Sequence, residues 1–350
     1  MKHFIRSAQQ AWEENQLRLV LFELTYACNL DCAFCYNDLD LEGQPLSTQR
    51  YIEILNDLAE MQVLTVVLSG GEPLAHKDFF TIGAAAKHLG FVVRIKSNAH
   101  ALTHNIAKRI QREISPFIIE TSLHGASSET HDKQTKVAGS FDRWKRNVAD
   151  MLEIGLRVKV NTVLTRWNEH ELDEIFALCD RFGVLLQIDR EVKPRDNGDR
   201  SPLAIVASAK ANEKLNTIYM SRSSRISNTP ETDSAVPIVN KSKHCGTGSS
   251  TLTVNPFGDV FPCVQWRQKV ANLHEQLVSE FWHHSPRLDK IREQNQAVRA
   301  KMLALPSDRK PPTFCPGLAS QYTGDPLGDY ILKQDQSELP VGKRRLALVT

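Results

Sequence analysis

The sequence predicts an α/β fold: a partial (β/α)6 TIM-like barrel followed by a small C-terminal module. Two observations carry the barrel. Six short, largely apolar runs, at 19–24, 64–68, 91–96, 117–121, 156–163 and 184–188, alternate with helical patterns. Strands separated by helices form parallel sheets through right-handed crossovers and are expected to be buried on both faces. A third observation carries the module: after a loose stretch from Lys193 to Lys243, order returns at His244 with a strand-turn-strand signal.

The elements follow in order. Residues 1–18 form a short, weakly amphipathic lead-in. Ser47 and Thr48 open a helix with Tyr51, Ile52, Leu55, Leu58 and Ala59 on one face. Further helices are expected near 78–89, 102–113, 140–154 and 169–182. In the last of these, Cys179 shares a stripe with Leu172, Ile175 and Phe176 and reads as core. The stretch 193–243 is a bridge with one helix near 203–219 and a Ser-rich segment, either a lid or a solvated linker. The module spans 244–330 and a tail spans 331–350, with Lys343, Arg344 and Arg345 at the periphery.

Composition narrows the function. A chain of 350 residues with 41% hydrophobic content has room for a large core. A net charge of +2 with dispersed Lys and Arg gives no reason to expect nucleic acid or an anionic membrane. No apolar run reaches signal-peptide or membrane-span length, so a cytoplasmic protein is expected. Seven cysteines, partly clustered, suit metal or redox chemistry better than disulfides.

The chemistry concentrates at strand ends, where β/α barrels place their active sites. Straight after the first strand come Cys28, Cys32 and Cys35, in a loop that also carries Asn29, Asp31, Asn37 and the aromatic pair Phe34 and Tyr36. Three thiolates at this spacing can hold three irons of a four-iron cluster and leave the fourth iron open. A structural zinc site would need a fourth ligand, and none is near; three unrelated core cysteines are the other reading. The second strand ends in Ser69, Gly70, Gly71, Glu72 and Pro73, and later ends carry Ser97, Asn98, Ser122, His124, Asn161 and Arg190. Glycines let backbone approach a ligand and leave the Gly70 and Gly71 amides free to face it.

The C-x-x-x-C-x-aromatic-C loop together with the Gly-Gly-Glu-Pro turn resembles the radical S-adenosylmethionine (SAM) enzymes. The resemblance implies a four-iron cluster on Cys28, Cys32 and Cys35 whose open iron is chelated by SAM. Gly70, Gly71, Glu72 and Pro73 would lie against the methionine part, with Glu72 receiving the ammonium. Tyr36, Ser97, Asn98, Ser122 and Asn161 would border the cofactor, with the ribose or methionine beside the last four. Arg190 would meet the SAM carboxylate, and His124 would face the substrate. Cys245, the hairpin from Pro256 through Gly258 and Val260 to Pro262 and Cys263, Ala271-Asn272, a helix with Leu277 and Trp282, and Cys315 with Gly324-Asp325 resemble the SPASM and twitch extensions of that family. These carry auxiliary iron–sulfur clusters. A full extension has about seven cysteines for two clusters. With three cysteines here, and Lys310, Pro311 and Pro312 where further ligands are expected, at most one auxiliary cluster is implied.

The implied activity is reductive cleavage of SAM to a 5′-deoxyadenosyl radical that removes a substrate hydrogen. The expected substrate is a ribosomally made peptide, to be cross-linked, given a thioether or epimerised. A small molecule or a tetrapyrrole-pathway substrate is the alternative. The expected partner is an electron donor such as flavodoxin or ferredoxin. Readings from other classes are a non-catalytic iron–sulfur electron carrier or sensor and a zinc-binding interaction protein. An 18-residue lead-in is too short for a peptide-recognition domain, which weighs against the peptide.

Overall fold

A computed structural model describes residues 2–38, 40–226, 242–306 and 314–330. The Ser-rich part of the expected lid beyond 226, the stretch 310–312 and the tail 331–350 lie outside the described residues. The chain runs α1 (Lys2–Glu13), β1 (Leu19–Glu23), α2 (Thr48–Glu60), β2 (Thr65–Ser69), α3 (Phe79–His88), β3 (Val92–Ser97), α4 (His104–Glu113) and β4 (Ile118–Ser122). It continues through α5 (Ser128–Thr135), α6 (Ser140–Glu153), β5 (Val158–Val163), α7 (Leu172–Phe182), β6 (Leu185–Asp189) and α8 (Ala209–Ile226). The module contributes β7 (Thr251–Val254), β8 (Asp259–Phe261), β9 (Ala271–Asn272), α9 (Val278–Trp282), α10 (Pro286–Ala304) and α11 (Pro316–Thr323).

Strands β1 to β6 pair in sequence order, all parallel, as the alternating pattern predicts. The module is not set apart from this sheet. Strand β7 pairs in parallel with β1, Leu19 opposite Thr251, and β8 and β9 follow antiparallel, giving one sheet of order β6-β5-β4-β3-β2-β1-β7-β8-β9. The β7–β8 hairpin is set by Asn255, whose Oδ1 accepts from the Phe257 and Asp259 amides at 3.0 and 2.8 Å, and by Gly258 at φ +79°.

One face of β1 to β5 packs on the helices: Phe22, Leu68, Ile95, Ile119 and Val160 are all fully buried in the main core, with Trp144 of α6 among them, while Ile188 of β6 joins a second cluster with Leu172 of α7 and Leu215 of α8. The other face departs from the expectation of strands apolar on both sides. Arg94, Lys96, Glu120, Lys159, Asn161, Gln187 and Asp189 occupy the opposite positions of β3 to β6, so the lumen of that half is polar.

Helices α5 and α10 were not legible as elements. The sequence of α5, SETHDKQT, has no apolar stripe, and its buried residues are Thr130, His131, Gln134 and Thr135. Helix α10 carries Leu288, Ile291 and Val298 on its buried face, interrupted by buried Arg292 and Asn295, which breaks the apolar period. Its start has a readable signal: Ser285 caps the Leu288 amide at 3.3 Å and Pro286 stands in the first turn.

Candidate active site and iron–sulfur centres

The parallel strands bring Cys28–Cys35, the Gly-Gly-Glu-Pro turn, Ser97 and Asn98 to one end of the sheet. The cysteine loop is held from both sides. Its Asp31 and Ala33 amides donate to the carbonyls of Thr135 and Gln134, at 3.1 and 2.9 Å, so the unanticipated α5 is its floor. On the other side Gly71 N donates to Thr25 O at 2.7 Å, Glu72 N to Ala27 O at 3.0 Å, and Asn37 Nδ2 to Gly70 O at 3.2 Å. The glycines therefore serve the cysteine loop itself. A Cβ on Gly70, whose φ is +133°, would stand 2.3 Å from Thr25 O, and one on Gly71 2.6 Å from Tyr26 O. The expectation that the Gly71 amide is free for a ligand is corrected: it is spent on Thr25.

Glu72 is buried and caps the short 3-10 turn begun by Pro73. Its carboxylate accepts from Ser97 Oγ and Asn98 N, both at 2.8 Å, and from Leu74 N at 3.3 Å. Burial pushes this carboxyl up to about 7, against the lowering by those hydrogen bonds. Two carboxylate oxygens offer about four acceptor sites, so one remains for an incoming cation. Ser97 and Asn98 thus brace Glu72, and Asn98 also reaches Asn29 Oδ1 at 2.7 Å and Cys28 Sγ at 3.7 Å. Ser122 and Asn161 face the lumen side by side across β4 and β5, with Asn161 Nδ2 on Glu120 Oε2 at 3.3 Å.

Two further predicted residues pack against aromatic rings. His124 is buried, its ring 4.4 Å from Phe34 and stacked at 6.1 Å on His131, with Nδ1 accepting from Val163 N at 3.3 Å. Burial, with His131 beside it, holds it well below the ordinary histidine range. It packs on Phe34, an aromatic of the cysteine loop. Arg190 lies over the Tyr219 ring of α8, 5.9 Å from its centre, on the outer side of the sheet and not over the lumen.

Burial raises the thiol pKa of Cys28, Cys32 and Cys35, which a metal would have to overcome by displacing protons. In the module, Cys245 and Cys263 meet around Thr247, whose Oγ1 lies 3.2 Å from Cys245 Sγ. Cys315 caps α11, and Gly317 packs so closely on Gln265 that its missing Cβ would stand 2.7 Å from that backbone, which brings Cys315 to the Cys263 loop. Asn295 of α10, which sequence reasoning missed, organises the site: its Oδ1 accepts from the His244 and Cys245 amides at 2.9 and 3.1 Å, and its Nδ2 donates to Cys245 O at 2.9 Å. Cys179 lies in the core, 1% exposed.

Thiols alone form both donor sets, and their spacing discriminates between metals. Among the described residues no three cysteine sulfurs lie within 4.8 Å of one another. Sulfurs around one zinc, at about 2.3 Å each, would sit roughly 3.8 Å apart. Neither trio is drawn in around a single ion, whereas a cluster spreads its ligands over separate irons. The Leu30 amide and the Asn98 side chain, which point at Cys28 Sγ from 3.5 and 3.7 Å, supply the donors that stabilise a cluster sulfur.

The two sites are joined by one buried charge network. Arg267, in the Cys263 loop, forks onto Glu23 at the end of β1, Nη1 to Oε2 at 3.0 Å and Nη2 to Oε1 at 2.6 Å. Its Nε meets Asp196 Oδ2 at 2.9 Å, and its guanidinium lies 5.9 Å over Tyr36 of the cysteine loop. Tyr26 OH also donates to Glu23 at 3.0 Å, and the Asp196 amide to Tyr36 O at 2.7 Å.

A partial barrel with a three-cysteine loop at its mouth and a second three-cysteine site beside it defines an iron–sulfur enzyme. Residues 22–179 match the Radical SAM superfamily and residues 245–305 the SPASM family, an iron–sulfur cluster-binding domain. The chain belongs to the radical SAM superfamily and carries a SPASM-type extension; its cofactors are SAM and iron–sulfur clusters. It is 29% identical over 293 residues to the mycofactocin maturase MftC of Mycolicibacterium smegmatis, covering 79% of this chain and 72% of that one. It is 26% identical over 302 residues to the AdoMet-dependent heme synthase of Methanosarcina barkeri, covering 80% and 86%. The chain spans 63% to 77% of the length of the mycofactocin maturases it matches. Its fold is similar to Streptococcus suis SuiB bound to the precursor peptide SuiA, with TM-score 0.63, 16% identity and coverage of 83% and 71%. No helix among the described residues is long and apolar enough to cross a membrane.

Proposed function

We propose that this enzyme modifies a ribosomally made peptide by hydrogen abstraction, with cross-linking, thioether formation or epimerisation as the outcome. The single observation that carries the peptide is the likeness to a mycofactocin maturase over 79% of the chain. When bound, the cluster supplies one electron to SAM, whose sulfur–carbon bond then breaks to give the 5′-deoxyadenosyl radical. The chain's own residues hold and aim. Cys28, Cys32 and Cys35 bind the first cluster, and Cys245, Cys263 and Cys315 an auxiliary one. Glu72 takes the SAM ammonium in its remaining acceptor site. A flavodoxin- or ferredoxin-like donor in the reducing cytoplasm suits seven cysteines that are all free. The second reading, a small-molecule or tetrapyrrole-pathway substrate, is supported by the likeness to a heme synthase.

The test incubates anaerobically reconstituted enzyme, SAM and reductant with the small peptide encoded beside it. A cross-link lowers the peptide mass by about 2 Da, and epimerisation leaves the mass but brings in solvent deuterium. Replacing Cys28, Cys32 and Cys35 with Ala abolishes 5′-deoxyadenosine formation. SAM consumption with every neighbouring peptide unaltered favours the small-molecule reading.

A further inference from the structure

The polar half of the barrel lumen contains more cations than carboxylates, and one of them, Lys96, makes no close ion pair. Lys96 lies on β3 between Ile95 and Ser97, which face the helices, so its side chain points inward. The groups that act on it come from four strands or strand ends: Glu120 opposite it on β4, Arg94 on its own strand, Lys159 on β5 and Lys193 after β6. Only a position inside the barrel sees all four.

Glu120 is the carboxylate that acts on Lys96, but closer donors share it. Arg94 forms a close ion pair with its Oε1, Asn161 Nδ2 donates to Oε2 at 3.3 Å, and Lys159 Nζ stands 3.9 Å from the same oxygen. The second lumen carboxylate, Asp189, is met by Lys193 at 3.4 Å. Four cations therefore share three carboxylates, since Lys193 also acts on Glu191, and among the described residues Lys96 makes no hydrogen bond or close ion pair. Burial lowers its pKa, opposed by Glu120, so the ammonium is kept at a cost against a carboxylate that it shares with Arg94 and Lys159. Nearby, Ser122, Asn161 and Gln187 form a lumen row that adds polar partners without charge.

We propose that Lys96 is the centre of an anion subsite in the barrel lumen that receives a carboxylate of the substrate. The inference rests on the reading of the lumen as the place where SAM meets substrate. It adds a chemical class: the molecule acted on carries a free carboxylate, whether at a peptide C-terminus, on an acidic side chain or on a small acid. SAM itself carries a carboxylate, so the test separates the two sources.

The probe is labelled glutarate, with glutaramide as its uncharged counterpart, in equilibrium dialysis against reconstituted holoenzyme holding SAM. A charge-assisted hydrogen bond in a partly enclosed site is expected to favour glutarate by about tenfold or more. Lys96→Met removes that preference, and Lys96→Arg retains most of it, which guards against a folding defect in the Met variant. SAM affinity is measured on the same variants. Equal binding of glutarate and glutaramide by the wild type overturns the proposal. So does a Lys96→Met variant that weakens SAM while binding glutarate as before, since the carboxylate would then be SAM's own. 5′-Deoxyadenosine formation by the wild type reports SAM cleavage independently, so failure of that chemistry is distinguishable from failure of the subsite.

Discussion

Arg267→Met should be the most damaging single substitution outside the cysteines. Arg267 is half of a buried pair: Glu23 is 0% exposed, and two of its contacts are the forked bonds at 3.0 and 2.6 Å from this guanidinium. Removing one partner leaves Glu23 with only the Tyr26 hydroxyl and Asp196 with no cation, an uncompensated burial that costs about 3–5 kcal/mol. For a chain of this size that lowers the melting temperature by roughly 4–7 °C. Lysine should not restore it, because a point charge cannot make the planar fork. The assay is urea denaturation of wild type, Arg267→Met, Glu23→Gln and the double variant. The double should be less damaged than the sum of the singles by about 1.5 kcal/mol or more, since the second change removes the orphan that the first creates. Strict additivity, or a loss below about 1 kcal/mol for Arg267→Met, would refute the claim that this fork holds the module's loop to the barrel.

With Glu72 as the proposed partner of the SAM ammonium, its titration should make SAM binding pH-dependent. Its carboxyl, raised to about 7, is the charged partner of an ammonium only above that value, so affinity should rise up to about pH 7, level off beyond it, and be about tenfold weaker one unit below. Folding stability should move the other way, falling as pH rises from 4.5 toward about 7, because the folded state then holds a proton the unfolded chain has lost. Calorimetric SAM titrations across this window check the first, and a Glu72→Gln profile should be flat. In the module, Asn295→Ala strips the His244 and Cys245 amides of their acceptor. Reconstituted iron should drop from about eight to about four per chain while the first cluster's optical signal persists.

Much of this was legible because it is local in the chain. The six parallel strands announce themselves by apolar runs between helices, and the cysteine loop and Gly-Gly-Glu-Pro turn are contiguous motifs. What escaped is set by tertiary partners. The helix α5 has no apolar stripe and is fixed by buried Thr130, His131, Gln134 and Thr135. Asn295 and Arg267 act on residues 50 and 244 positions away, so no window along the sequence contains both ends of their bonds. Strand-end position put Ser97 and Asn98 at the end of β3 but could not tell that their hydrogen bonds go to Glu72. The lumen row was visible in hindsight as alternation in 92–97 and 158–163, where Arg94, Lys96, Lys159 and Asn161 interrupt the valines and isoleucine.

The pairing of β1 with β7 sets a clock on biosynthesis. Leu19–Glu23 emerges early, yet the strand that covers its second flank, Thr251–Val254, is made more than 200 residues later. At ordinary elongation rates of about 5–20 residues per second, that flank waits for roughly ten to fifty seconds. Throughout that interval an apolar strand offers unpaired amides and carbonyls to any neighbouring chain. Ending the chain before residue 251 would make the interval permanent. A truncated barrel should therefore be found in inclusion bodies or on chaperones.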